Sequence, residues 1–126
     1  MFGMMFEGEY ANISIEDNIL FLEYSPRLVL TYHVAKEVLS NRLAFQQNKA
    51  YPVFCNTSGI ISAETNALDY LSHEGTLLIM AIAFYVNAPL NNLLTEFFLE
   101  THSRKIPAGI FKYRNQALKF LRPYTQ

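Results

Sequence analysis

The chain has 126 residues, 51% of them hydrophobic, with eight tyrosines, ten phenylalanines and no tryptophan, which excludes intrinsic disorder and suits one domain around one core. A formal net charge of −1 supplies no global field for nucleic acid or an anionic membrane surface. That charge is unevenly spread: residues 1–100 carry four basic and eleven acidic side chains, whereas residues 101–126 carry six basic and no acidic ones.

The first ten residues are rich in methionine and phenylalanine (Met1, Phe2, Met4, Met5, Phe6) but have no basic segment and no long apolar stretch, so no signal peptide is expected. Residues 1–9 are read as an extension that packs on its own domain, stays mobile, covers an apolar pocket, or docks on a second copy to make a homodimer. Tyr10 to Ile15 alternates loosely, Glu16-Asp17-Asn18 supplies turn residues, and Ile19 to Tyr24 is a second β-rich run; together they predict an antiparallel hairpin. Ser25-Pro26 ends it, because proline has no N–H for a ladder. The period then changes. Val34, Ala35, Val38 and Leu39 share one face while Lys36, Glu37, Asn41 and Arg42 are assigned to the other, a helix with Thr31 as its N-cap.

Tyr51 to Cys55 is a short apolar run without alternation, the pattern of a strand covered on both faces. Asn56-Thr57-Ser58-Gly59 leaves that strand, and Ser62 is expected to cap a helix that turns Ala67, Leu68 and Leu71 inward. Thr76 to Val86 is a second covered strand, and Asn87-Ala88-Pro89 stops it. Leu90, Leu93, Leu94, Phe97 and Phe98 then recur at helical spacing. Ile106 to Phe111 predicts a last strand, and Ala117, Leu118 and Leu121 a closing helix. The order β-β-α-β-α-β-α-β-α predicts an α/β domain over residues 1–126. Its mixed sheet has about five strands, antiparallel at the N-terminal hairpin and parallel afterwards, with four helices.

A single cysteine, Cys55, makes no internal disulfide and fits a reducing compartment. The longest apolar run, Leu77 to Val86, has ten residues, about half of a membrane-spanning helix. The expectation is a cytoplasmic protein without membrane insertion.

In its order of elements the chain resembles the SpoIIAA-like (STAS-like) family, from about Tyr10 to Leu121. Anti-sigma-factor antagonists of that family carry a pattern like D-x-S-x-x-x-x-x-D-S-S-G-L after the first covered strand, and its second helix-start serine is the one phosphorylated. The corresponding stretch here runs from Asn56 to Leu68, with Glu64 on the acidic position, Thr65 on the first serine and Asn66 on the phosphorylated one. An amide accepts no phosphoryl group, so the resemblance implies the scaffold without its usual switch; Thr65 would substitute one position away. The chain is also similar to small stand-alone SpoIIAA-like proteins of Bacteroidetes-type bacteria without an assigned activity. That likeness lies in Leu28-Val29-Leu30-Thr31, Lys49 to Val53, Ile106 to Phe111 and Gln116 to Leu121.

The resemblance makes the stretch Asn56, Thr57, Ser58, Ser62, Glu64, Thr65 and Asn66 the first candidate site, as a surface for a protein partner. The same residues also read as an ordinarily capped helix start, with Glu64 complementing the helix dipole. A second candidate is an anion-binding patch of Arg104, Lys105, Lys112 and Arg114, set against a plain solvated basic face. His33, His73 and His102 lie on three segments without metal-ligand spacing, so no metal is expected. Cys55 reads as a small buried hydrophobe, and no P-loop, dinucleotide-glycine or nucleophile-elbow pattern occurs. No catalytic residue and no cofactor is assigned. The functional expectation is a non-catalytic regulatory or protein-interaction module; the alternative is a small-molecule or lipid-binding module with an apolar pocket.

Overall fold

A computed structural model describes residues 4–86, Phe97, Leu99, Thr101 and 106–126. The hairpin forms where the sequence places it. Strands β2 (Ala11–Glu16) and β3 (Ile19–Tyr24) pair antiparallel from Ala11 opposite Tyr24 to Glu16 opposite Ile19. Asp17 and Asn18 join them with φ of 52° and 62°, the two left-handed residues of a type I′ turn, whose twist matches that of the strands. Inside the stretch set apart as an extension, Met5–Glu7 is an edge strand, β1, antiparallel to β2, with Phe6 packed against the core.

After β3 the chain runs through β4 (Leu28–Leu30), α1 (Tyr32–Gln46), β5 (Tyr51–Asn56), β6 (Ile60–Ala63) and α2 (Thr65–His73). It continues through β7 (Ile79–Tyr85) and β8 (Ala108–Phe111) to the closing helix α3 (Arg114–Leu121). The main sheet has the order β1-β2-β3-β5-β7-β8, and β3–β5, β5–β7 and β7–β8 are all parallel. β4 and β6 form a separate two-stranded parallel ladder. The expected count of about five strands is therefore corrected, among the described residues, to six in the main sheet plus this pair. The extra strands are three- and four-residue pieces, too short to show a period. Three α-helices have bounds among the described residues. The fourth, expected over Leu90 to Phe98, lies outside them except for Phe97, which is helical, as are Leu99 and Thr101.

Alternation along the covered strands sorts two cores. Leu20, Leu22, Val53, Cys55, Ile82 and Phe84 pack with Val34, Ala35 and Val38 of α1 and Ala67, Leu68 and Leu71 of α2. Phe21, Phe54, Ala81 and Ala83 face the opposite way, against Ala117 and Leu121 of α3. In β7 the pattern Ala81-Ile82-Ala83-Phe84 thus puts small side chains toward α3 and large ones toward α1 and α2. α1 starts as expected: Thr31 is extended and its Oγ1 accepts the Val34 N–H at 3.1 Å. Its inward face differs from expectation at one position, because Arg42 is 3% exposed and belongs to the buried stripe with Val38, Leu39 and Gln46.

Candidate functional site

The Asn56–Asn66 stretch divides into residues that hold the loop and residues that face water. Asn56 ends β5, and its Oδ1 accepts the Ser58 N–H at 3.0 Å, the hydrogen bond of an Asx turn. Thr57 is buried, and both its N–H (3.0 Å) and its Oγ1 hydroxyl (3.1 Å) donate to the Tyr85 carbonyl at the end of β7. Thr57 is a structural residue, which corrects its placing on a partner surface. Gly59 lies against the end of β3: a Cβ there would stand 2.3 Å from the Ser25 carbonyl oxygen and 2.7 Å from that of Tyr24. Only glycine allows that approach without moving backbone.

β6 then runs beside β4. Leu28 pairs with Ile60 and Val29 with Ser62, so the register shifts by one residue and Ile61 is the extra residue of a bulge. Ile61 is 65% exposed and Val29 46%. Ser62 is an exposed strand residue and not a helix cap, a second correction. The N-cap of α2 is Glu64, whose side chain caps nothing in its own helix. Its Oε1 instead accepts the Tyr32 N–H at 2.9 Å, at the start of α1, while its own N–H donates to the Leu30 carbonyl. One carboxylate therefore sits between two helix N-termini, where its charge opposes neither dipole. Thr65 and Asn66 follow, both exposed, on the first turn of α2.

Beside this face lies an open cleft of about 360 Å3 lined by Tyr32, Asn66, Asp69, Tyr70, His73 and Glu74. The Tyr32 and Tyr70 rings pack with centroids 5.3 Å apart, and the Lys36 ammonium stands 5.4 Å from the Tyr32 ring. Burial, then Tyr32 and Glu74, raise the Tyr70 phenol above its ordinary value. His73 Nδ1 is 2.8 Å from the Asp69 carbonyl oxygen and 3.5 Å from its carboxylate. The cleft is aromatic with an acidic rim.

The basic patch does not come together as four residues. Arg104 and Lys105 lie outside the described residues, and Lys112 is exposed just before α3. The Arg114 guanidinium rests over the Phe21 and Phe54 rings at 5.2 and 5.0 Å. It borders an open cleft of about 450 Å3 that Glu16 and Asp17 also line, so the charge there is mixed. His102 also lies outside the described residues, and among those described no group of three metal-ligating side chains is assembled.

The cation that the sequence assigned to water is, among the described residues, the one buried most deeply. Arg42 donates from one terminal nitrogen to Gln46 Oε1 and from the other to the Gly75 carbonyl at 3.0 Å. Gln46 Nε2 in turn donates to the Lys49 and Leu78 carbonyls, each at 3.0 Å. Burial lowers the Arg42 guanidinium to about 10, with Tyr24 and Cys55 acting the other way. Burial likewise pushes the Cys55 thiol up to about 12 and raises the Tyr24 phenol, against the pull of Arg42. The signal for Arg42 was present in the spacing. Positions 35, 38, 39, 42 and 46 form one helical stripe, and residue type alone put Arg42 on the wrong side.

The family model described as domain of unknown function (DUF7793) matches residues 13–125. In structure the chain is similar to an uncharacterized protein of the DUF3478 family, with a SpoIIAA-like fold, from Shewanella loihica PV-4. The TM-score is 0.54 at 12% identity, over 95% of this chain and 92% of that one. A likeness at that identity carries the fold alone: the SpoIIAA-like architecture that the order of elements implied. No curated protein matches the chain in sequence.

Proposed function

The chain belongs to the DUF7793 family, and from that premise we propose that it is a non-catalytic, regulatory protein-interaction module that engages its partner through β6 and the start of α2. The observation that carries this reading is the bulge. A one-residue register shift in a ladder outside the main sheet turns Ile61 out to 65% exposure next to Val29, an arrangement that costs hydration and a ladder position. Ser62, Thr65 and Asn66 surround it with exposed polar groups, giving the apolar centre and polar rim of an interface. The neighbouring cleft, with Tyr32 and Tyr70 above Asp69 and Glu74, suits a basic side chain of the partner. With Asn66 in place of a phosphorylatable serine, recognition here works without phosphorylation at that position.

A lipid-binding role finds less support. Among the described residues, the cavity between the sheet and α1, lined by Leu22, Val38, Arg42 and Thr101 among others, measures about 30 Å3, the scale of a water or an ion and not of an acyl chain.

The test is affinity capture from the native host with wild type, Ile61→Asp, and Leu77→Asp as a control at a second exposed apolar residue. A partner of this face binds wild type and Leu77→Asp alike and loses about thirtyfold or more in affinity for Ile61→Asp, as truncating an interface anchor does. A specific partner that binds all three equally, or none at all, rejects the reading.

A further inference from the structure

Arg42 is a buried cation whose neighbours among the described residues are all neutral. It is 3% exposed, and its hydrogen bonds use two of its five N–H donors, on the Gln46 side-chain carbonyl and the Gly75 backbone. Among the described residues the one ion pair is His73 with Asp69, so no described carboxylate balances the guanidinium. The two acidic groups that face it, the Cys55 thiol and the Tyr24 phenol, are protonated at neutral pH, and burial raises both further. A charge desolvated without a counter-charge is costly, and hydrogen bonds to carbonyl groups recover part of that cost only.

The same spot holds an unfilled hydrogen-bonding group. Thr101 is 3% exposed, and its Oγ1 is the described buried side-chain atom without any hydrogen-bond partner. Arg42 and Thr101 both line the cavity of about 30 Å3, together with Tyr24, Cys55, Leu22 and Phe97. That space takes about one or two water-sized species. A cationic fork, a free hydroxyl and an apolar wall around so small a volume describe an anion site in miniature.

We propose that this cavity binds one small monovalent anion, of halide or formate size, held by Arg42 and Thr101. A neutral water would satisfy the Thr101 hydroxyl but would leave the guanidinium uncompensated. A divalent oxyanion exceeds the space and brings twice the charge that Arg42 balances. The anion is a structural ligand: it closes the space between the sheet and α1 and is independent of the partner face proposed above.

Bromide is the probe. Crystals of the full chain soaked in sodium bromide should show an anomalous peak between Arg42 and Thr101. In solution, replacing gluconate by bromide at constant ionic strength should raise the thermal midpoint saturably, because an ion bound to the folded state alone stabilises by mass action. Thr101→Val keeps the shape and removes the hydroxyl, and should raise the half-saturating bromide concentration about tenfold. Arg42→Met should abolish saturation; if that variant does not fold, the valine variant and the anomalous map decide. A water without anomalous signal in the cavity, bromide peaks confined to the surface, or the same bromide response in wild type and Thr101→Val overturns the proposal.

Discussion

Two arginines sit on opposite faces of the same strands and are used in opposite ways. Arg42, on α1, is sealed against β3 and β5 with its hydrogen bonds directed to carbonyl oxygens. Arg114, on α3, lies over the Phe21 and Phe54 rings while the residue as a whole remains exposed. The packing on each face explains the difference. Ile82 and Phe84 are large and keep α1 and α2 away from the sheet, leaving an interior that a long side chain spans. Ala81, Ala83 and Ala117 let α3 approach closely, so a cation at its start has only the rim, where ring faces are available and water stays within reach. One face treats the guanidinium as a buried tie, the other as an amphipathic cover.

The strongest way to break this contrast is to truncate both. Arg42→Ala should cost about 3–5 kcal/mol in urea unfolding, since it opens a cavity and strips the Gly75 carbonyl and the Gln46 amide of a charged partner. The damage spreads, because Gln46 holds the Leu78 carbonyl and Leu78 sits at a left-handed φ of 61° that a leucine adopts only under constraint. Arg42→Met refills much of the volume and should lose less. A cost below about 1 kcal/mol for the alanine variant would show that the buried tie is not one.

The interior face should also make itself known at alkaline pH, with a smaller effect. The Cys55 thiol moves from 9.0 to about 12 on folding, so between these values the native state keeps a proton that the unfolded chain has lost. Its contribution is complete below pH 9 and is lost as pH rises toward 12, at up to about 1.4 kcal/mol per pH unit. Tyr24, raised from 10.0, acts in the same direction. Comparing wild type with Cys55→Ala isolates the thiol. The stability difference between them should shrink from pH 8 to pH 11, and an unchanged difference would place Cys55 in contact with water.

What was legible in the sequence follows the same divide between local and non-local causes. The antiparallel hairpin, the Thr31 cap and the inward Ala117 and Leu121 of α3 rest on spacings of a few residues, and all three stand in the structure. β1, β4 and β6 escaped notice because strands of three or four residues are created by their pairing partners and not by a pattern of their own. At the candidate face, the exposure of Glu64, Thr65 and Asn66 followed from the helix start. The bond from Glu64 to Tyr32 spans 32 positions and has no local signature, and the same is true of Thr57 reaching Tyr85 across 28. Arg42 was misplaced for a different reason: its spacing was right and its chemistry argued the other way.

The smallest predicted effect is on the outer arginine, and its size is what sharpens the contrast. Arg114→Ala removes a cation from two ring faces, worth about 0.5–1 kcal/mol at an exposed site. It also removes a positive charge from the first position of α3, where the helix dipole disfavours it by a few tenths of a kcal/mol. The two terms oppose, so the net loss in chemical denaturation should be about 0.5 kcal/mol, several times less than for Arg42→Ala. Arg114→Lys keeps the unfavourable charge but loses the flat guanidinium that stacks, so it should be no more stable than the alanine variant. A lysine variant as stable as wild type would mean that charge, and not ring contact, holds Arg114 in place. The origin would then be the carboxylates of Glu16 and Asp17 in the adjoining cleft, and the stability of wild type would fall as salt is added.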